Sequence, residues 1–192
     1  MIKKSHAQTI TDSLAQLNYD AYINHCRYMK YALELAHTAS DLGEVPVGAV
    51  IVDRQGNIIA EAANRKRREQ DPTAHGEILA IRAASKTLNN CYLTDCTLYV
   101  TLEPCPMCAG AIIQARLSLL VYGVDDPKTG AIRTITNLPD SCCSNHRLQV
   151  LAGIQEVSCR QQLQTWFNHQ RTRVNAKELK QSEIPVSKLN GF

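Results

Sequence analysis

Apolar residues recur along this chain in two rhythms. From Tyr22 to Leu42, Met29, Leu33 and Ala36 fall at helical spacing, and Gly43 stands where a helix would stop. Val47 to Val52 is apolar and rich in β-branched residues. Asp53-Arg54-Gln55-Gly56 reads as a turn, and Ile58-Ile59 opens a return strand, so a hairpin is expected. Asn64 to Thr73 is polar and punctuated by Pro72. Thr73 is placed to cap a helix over Ala74 to Leu88, with Ile78, Leu79 and Ile81 as its apolar positions. Cys96 to Leu102 alternates as a strand does. Pro104 and Pro106 end it, and Pro106 suits the first turn of a helix running to about Arg116. Leu119 to Val124 is a further strand, Asp125 to Asp140 a loop, Leu148 to Ile154 a weak strand and Glu156 to Arg171 a helix.

The order α-β-β-α-β-α-β-β-α implies a central sheet with helices on both faces. Two strand–helix–strand units call for parallel pairing, and the first hairpin is antiparallel. Residues 1–21 are polar and aperiodic and read as an N-terminal extension without fixed structure. Residues 22–175 form one domain, and residues 176–192 a basic, polar tail. The 192 residues suffice for a substantial core. With 44% apolar and 20% charged residues, the composition excludes a disordered chain or a coiled coil. The net charge of +3 permits a nucleic-acid partner without requiring one. No apolar run approaches the ~18 residues of a membrane helix, and the first residues lack the apolar stretch of a secretory signal. Eight cysteines in such a chain read as thiols or metal ligands, and a cytoplasmic location follows as an expectation.

Two segments concentrate the chemistry: His75-Gly76-Glu77 and Pro104-Cys105-Pro106-Met107-Cys108. Thiols three residues apart lie about 60° apart on one face of a helix, and a helix N-terminus favours their thiolate form. Two thiolates and one neutral imidazole balance the charge of a zinc ion and leave its fourth position for water, the pattern of a catalytic site. Glu77 sits about 200° round a helix from His75. It is poorly placed to share that metal and better placed to carry a proton beside it. A lone Cys-x-x-Cys also fits a redox pair or half of a structural zinc site. A redox pair needs no upstream His-x-Glu, however, and no second Cys-x-x-Cys exists to complete four thiolates; Cys142 and Cys143 are adjacent. His-x-Glu followed by Pro-Cys-x-x-Cys is the signature of zinc deaminases.

A longer match narrows this. Asp71 to Ile78, Thr101 to Ala111, Tyr122-Gly123, Asp126 to Ala131 and Asn145-His146-Arg147 resemble the bacterial tRNA-specific adenosine deaminases, over roughly residues 22–175. The resemblance implies a three-layer α/β/α cytidine-deaminase-like sandwich with a five-stranded mixed sheet. It implies that His75, Cys105 and Cys108 hold zinc, one ion per subunit, and that Glu77 shuttles protons. Asn64 matches the residue that hydrogen-bonds the target base, and Asp126 a loop residue near the substrate backbone. The implied partners are a tRNA anticodon stem-loop and a second copy of the chain. The implied reaction is hydrolysis of the wobble adenosine of an arginine tRNA with an ACG anticodon to inosine and ammonia. Gly76 departs from the family, which more often has Ala there, and Gly costs a helix about 0.5–1 kcal/mol. Residues before Tyr22 are unmatched.

Other residues carry weaker signals. Arg65-Lys66-Arg67-Arg68 is either a solvated loop or, being next to the His75 segment, a phosphate-binding one in which Arg67 and Arg68 position RNA. Lys128 belongs with Asp126 as a substrate contact. Asn64 and Asp126 alone would read as turn residues. His146 suits a structural hydrogen bond, while His6, His25, His37 and His169 show no partner in the sequence. Trp166 and Phe167 read first as core, with base stacking as the alternative. Cys26, Cys91, Cys96 and Cys159 read as small buried hydrophobes or inert thiols. Two other functions stay open: a zinc deaminase of a free base or nucleoside such as guanine or cytidine, and a non-catalytic zinc protein, against which Glu77 speaks.

Overall fold

The computed structural model describes residues 17–182. Nine elements follow in order: α1 (Tyr19–Asp41), β1 (Gly48–Val52), β2 (Ile58–Ala63), α2 (Gly76–Thr87), β3 (Thr97–Leu102), α3 (Pro106–Gln114), β4 (Leu119–Val124), β5 (Gln149–Ala152) and α4 (Glu156–Ser182). The strands form one sheet in the order β2-β1-β3-β4-β5. β1 is antiparallel to β2 and to β3, while β3–β4 and β4–β5 are parallel. The mixed sheet and its hairpin are those expected.

Successive residues of a strand point to opposite faces, and both faces here are covered. Ala49, Ile51, Leu98, Val100, Leu120 and Tyr122 pack against Ala80 and Ala84 of α2 and Ala109 and Ile112 of α3. Val50, Val52, Tyr99, Val121 and Leu151 pack against Tyr28, Met29 and Ala32 of α1 and Cys159 and Leu163 of α4. Hence all five residues of β1 are buried, and its sequence shows an unbroken apolar run rather than alternation. The result is a three-layer α/β/α sandwich.

Local differences have local causes. Asn18 caps α1 by accepting the Ala21 N–H at 2.8 Å, so the helix begins before Tyr22. Thr73 caps nothing: its N–H and its hydroxyl both go to the Asp71 carboxylate at 2.7 Å, and His75 is the N-cap of α2. Helix α4 continues past Arg171 to Ser182, into the segment read as tail. Residues 125–148 join two parallel neighbours, which usually takes a crossover helix. Here an irregular segment makes the crossing and buries Ala131 and Ile132 in the core. Residues 1–16 and 183–192 of the terminal segments, His6 among them, lie outside the described residues. No helix of the described residues is long and apolar enough to cross a membrane.

Candidate active site

Helices α2 and α3 start side by side, and both caps belong to the site. His75 is the N-cap of α2 and Cys105 that of α3, with Cys108 in the first turn of α3. Neither cap side chain bonds its own helix, so both remain available as ligands. His75 Nδ1 lies 3.7 Å from Cys105 Sγ and 3.5 Å from Cys108 Sγ. Tetrahedral zinc, with bonds of about 2.3 Å to sulfur and 2.05 Å to nitrogen, separates such atoms by roughly 3.6 Å. The three donor atoms lie within 4.8 Å of one another, and the residues fit a metal ion. Cys108 donates to Cys105 and holds that thiol down at about 4, while the same contact pushes Cys108 up. The pair therefore carries one negative charge readily, and a bound cation would favour the second.

Glu77, in the first turn of α2, is 4% exposed, and its Oε2 has no hydrogen-bond partner among the described residues. Burial pushes its carboxyl above the usual carboxylate range. It stands outside the three-residue cluster, in the same cleft. The cleft holds about 240 Å³ and is lined by Val45, Val47, Asn64, Lys66, His75, Glu77, Leu102, Glu103, Cys105, Asp126 and Thr129. It opens at the C-terminal ends of β3 and β4, the usual place for a ligand in an α/β sheet. Asn64 is buried, and its backbone N–H reaches Val47 O at 2.9 Å. Its side-chain amide takes no partner among the described residues.

The structure separates the remaining candidates. The Asp126 carboxylate accepts the Lys128 N–H at 2.8 Å and the Thr129 hydroxyl at 2.7 Å, shaping its own turn. Lys66, not Arg67 or Arg68, lines the cleft. The Arg67 guanidinium lies over the Trp166 ring, 5.6 Å from its centroid, and reaches Gly43 O at 3.3 Å. The Arg68 N–H is held at 2.7 Å by the buried Glu44 carboxylate. Lys128 belongs to a second cleft of about 420 Å³ that shares Val45, Leu102, Asp126 and Thr129 with the first. Arg160, Phe167 and Arg171 of α4 form its far wall.

Trp166 is buried, but Phe167 is 41% exposed and not core. His146 bonds Leu117 O at 2.6 Å, the structural role expected. His25 meets the Tyr99 hydroxyl at 2.9 Å and His37 meets Asp41, partners absent from the sequence pattern. Cys91 is exposed, unlike Cys96 and Cys159. Two buried carboxylates escaped sequence reasoning. Glu44 grips the basic loop, and Glu103 binds the segment carrying Asp126. Their partners are mainly backbone N–H groups, which leave no trace in residue types.

A site for a polarised water, a carboxylate to move its proton and a pocket the size of one base are what hydrolytic removal of an exocyclic amine requires. Fold and cleft thus define the class as the hydrolytic nucleobase deaminases. Comparison with known proteins agrees. The model of the MafB19-like deaminases matches residues 23–171. The tRNA-specific adenosine deaminase of Haemophilus influenzae is 50% identical over 145 residues, 76% of this chain and 84% of its own. That of Bacillus subtilis is 44% identical over 156 residues, 81% of this chain and 96% of its own. A solved structure from a study of A-to-I editing by tRNA:A34 deaminases is similar with a TM-score of 0.70 at 42% identity, over 71% of this chain and 99% of that one. A guanine deaminase from Nitrosomonas europaea shares the fold at a TM-score of 0.62 and 26% identity, over 72% of this chain and 81% of its own. The chain belongs to the tRNA-specific adenosine deaminases.

Proposed function

We propose that the protein hydrolyses the wobble adenosine of a tRNA anticodon to inosine, releasing ammonia, with an arginine tRNA bearing ACG as its substrate. One observation carries the reading: in a single cleft the His75–Cys105–Cys108 cluster faces a buried, unpartnered Glu77 oxygen and the free amide of Asn64. The volume, below the range of about 300–1,000 Å³ for drug-sized ligands, suits one flipped base whose ribose and phosphates stay outside. Zinc is the metal that this donor set favours. Bound there, it would supply a Lewis acid that brings the pKa of a water to near 7.

The side chains do the rest. Glu77 takes one proton of the attacking water and delivers it to the ring nitrogen next to C6. It then takes the remaining proton from the new C6 hydroxyl and passes it to the amine, which leaves as ammonia as the C6 carbonyl forms. Its raised affinity for a proton suits a group that must hold one between those steps. Asn64 offers both a donor and an acceptor to the purine edge. Asp126, Lys128, Arg67 and Arg68 would meet the RNA backbone, with Arg67 held against Trp166 as a fixed charge. We assign the activity to a domain over residues 22–175, acting as a cytoplasmic homodimer.

The match to tRNA-specific adenosine deaminases at 50% and 44% identity, over 84% and 96% of their own lengths, supports this reading over a free-base deaminase. The test is ammonia release from the zinc-loaded protein with an anticodon stem-loop, adenosine, cytidine and guanine in parallel. Release from the stem-loop alone supports the proposal. Release from a free base or nucleoside alone overturns it.

A further inference from the structure

We propose that Glu103 is a positioning residue, whose buried carboxylate fixes segment 125–134 and so sets where Asp126 and Thr129 stand at the mouth of the cleft. The inference rests on the RNA reading above for its kinetic readout. Glu103 follows β3 and precedes Pro104-Cys105, and it is 1% exposed. Its Oε2 accepts the Asp126 N–H at 3.0 Å and the Thr134 hydroxyl. Its Oε1 accepts the N–H groups of Ile132, Arg133 and Thr134 at 3.1, 2.8 and 3.1 Å. A carboxylate accepts only, with about four lone-pair sites, and five donors here converge on it. A buried charge is costly unless its hydrogen bonds are made. Among the described residues no cationic side chain lies within bonding distance of it, so four backbone N–H groups and the Thr134 hydroxyl hold it, much as in an anion nest.

The segment is wrapped so tightly that side-chain volume is excluded at one point. A Cβ on Gly130 would lie 2.3 Å from Glu103 Oε2 and 2.6 Å from Asp126 O. The strand ends are laced in the same way: the Glu103 N–H reaches Val124 O at 2.8 Å, and the Ala131 N–H reaches Pro104 O at 2.9 Å. The Asp126 carboxylate is spent within its own turn, so its place depends on its backbone. Glu103 is the side chain that grips that backbone, two residues from a metal ligand. It thereby ties the substrate mouth to the catalytic centre.

Glu103→Gln keeps the shape but turns an N–H₂ toward donors on one side. In the zinc-loaded enzyme the expected result is a KM for the stem-loop raised about tenfold, the worth of one charge-assisted hydrogen bond. kcat should change less than about threefold, and zinc content should be unchanged. Amides of Asp126, Ile132, Arg133 and Thr134 should exchange faster with solvent while those of β1 keep their rates. On an Asp126→Ala background the same substitution should add little to KM, because both act through one element. A loss in kcat at constant KM, a full additive effect on that background, or unchanged exchange of those four amides would each overturn the proposal. If Glu103→Gln does not fold, Thr134→Val and Gly130→Ala perturb the same grip and are held to the same readouts. Wild-type enzyme silent on the stem-loop would defeat the RNA reading instead, and the exchange measurement would still decide for or against Glu103.

Discussion

Gly76 lies between the metal-ligand candidate His75 and the proposed proton carrier Glu77, and replacing it by Ala tests whether the start of α2 is strained. A Cβ there would meet Val47 O at 3.4 Å, Ala49 Cβ at 3.6 Å and Ala62 O at 3.6 Å, all ordinary contacts. Gly76 is the first residue of the helix, with backbone geometry open to any L-residue. Gly76→Ala therefore restricts the unfolded chain without a clash, a gain of about 0.4–1 kcal/mol. For a domain of this size 1 kcal/mol corresponds to about 2–4 °C, so Tm should rise by about 1–4 °C. The positions of His75 and Glu77 depend on the helix and not on the missing methyl, so kcat should hold within about twofold. Differential scanning calorimetry of the zinc-loaded protein and stem-loop kinetics measure both. A fall in Tm, or a tenfold loss of kcat, would refute the reasoning and show that Gly76 is needed for close approach.

Four other outcomes follow from the geometry. Glu77→Gln should lower kcat by about 10² to 10⁴ while metal content, read by plasma mass spectrometry, stays at the wild-type value. Chelation should abolish activity and lower Tm, and zinc should restore both in wild type but not in Cys108→Ala. Arg68→Glu should lower the slope of log affinity against log salt by about one; an unchanged slope would place Arg68 away from phosphate. Burial lowers the pKa of His25, so the folded state resists its protonation. That contribution is present above the usual His value near 6.5 and is lost as pH falls through the lower folded value. His25→Gln should thus flatten the acid side of the Tm–pH profile.

Much of this fold was legible because its signals are local. The apolar run Val47–Val52, the turn at Asp53–Gly56 and the proline break after Leu102 each specify one element through its own residues. The ligand cluster was legible for a related reason: His75, Cys105 and Cys108 are chemically distinctive types at fixed spacing, and the starts of two helices bring them together. The rest depends on contacts distant in sequence. A run of four cations carries no sign that Arg67 turns onto Trp166 while Lys66 turns into the cleft. The crossing from β4 to β5 without a helix is anchored at its start by main-chain bonds to Glu103, whose partners lie 23 to 31 residues away. Helix α4 past Arg171 has no apolar stripe for periodicity to detect.

The most direct measurement is sequencing of a full-length arginine tRNA with an ACG anticodon after incubation with the zinc-loaded protein and, in parallel, with Glu77→Gln. Inosine should replace adenosine at the wobble position alone, in the wild-type reaction alone. Adenosine retained at that position under wild-type enzyme with metal bound, or inosine formed equally well by the variant, would contradict the account.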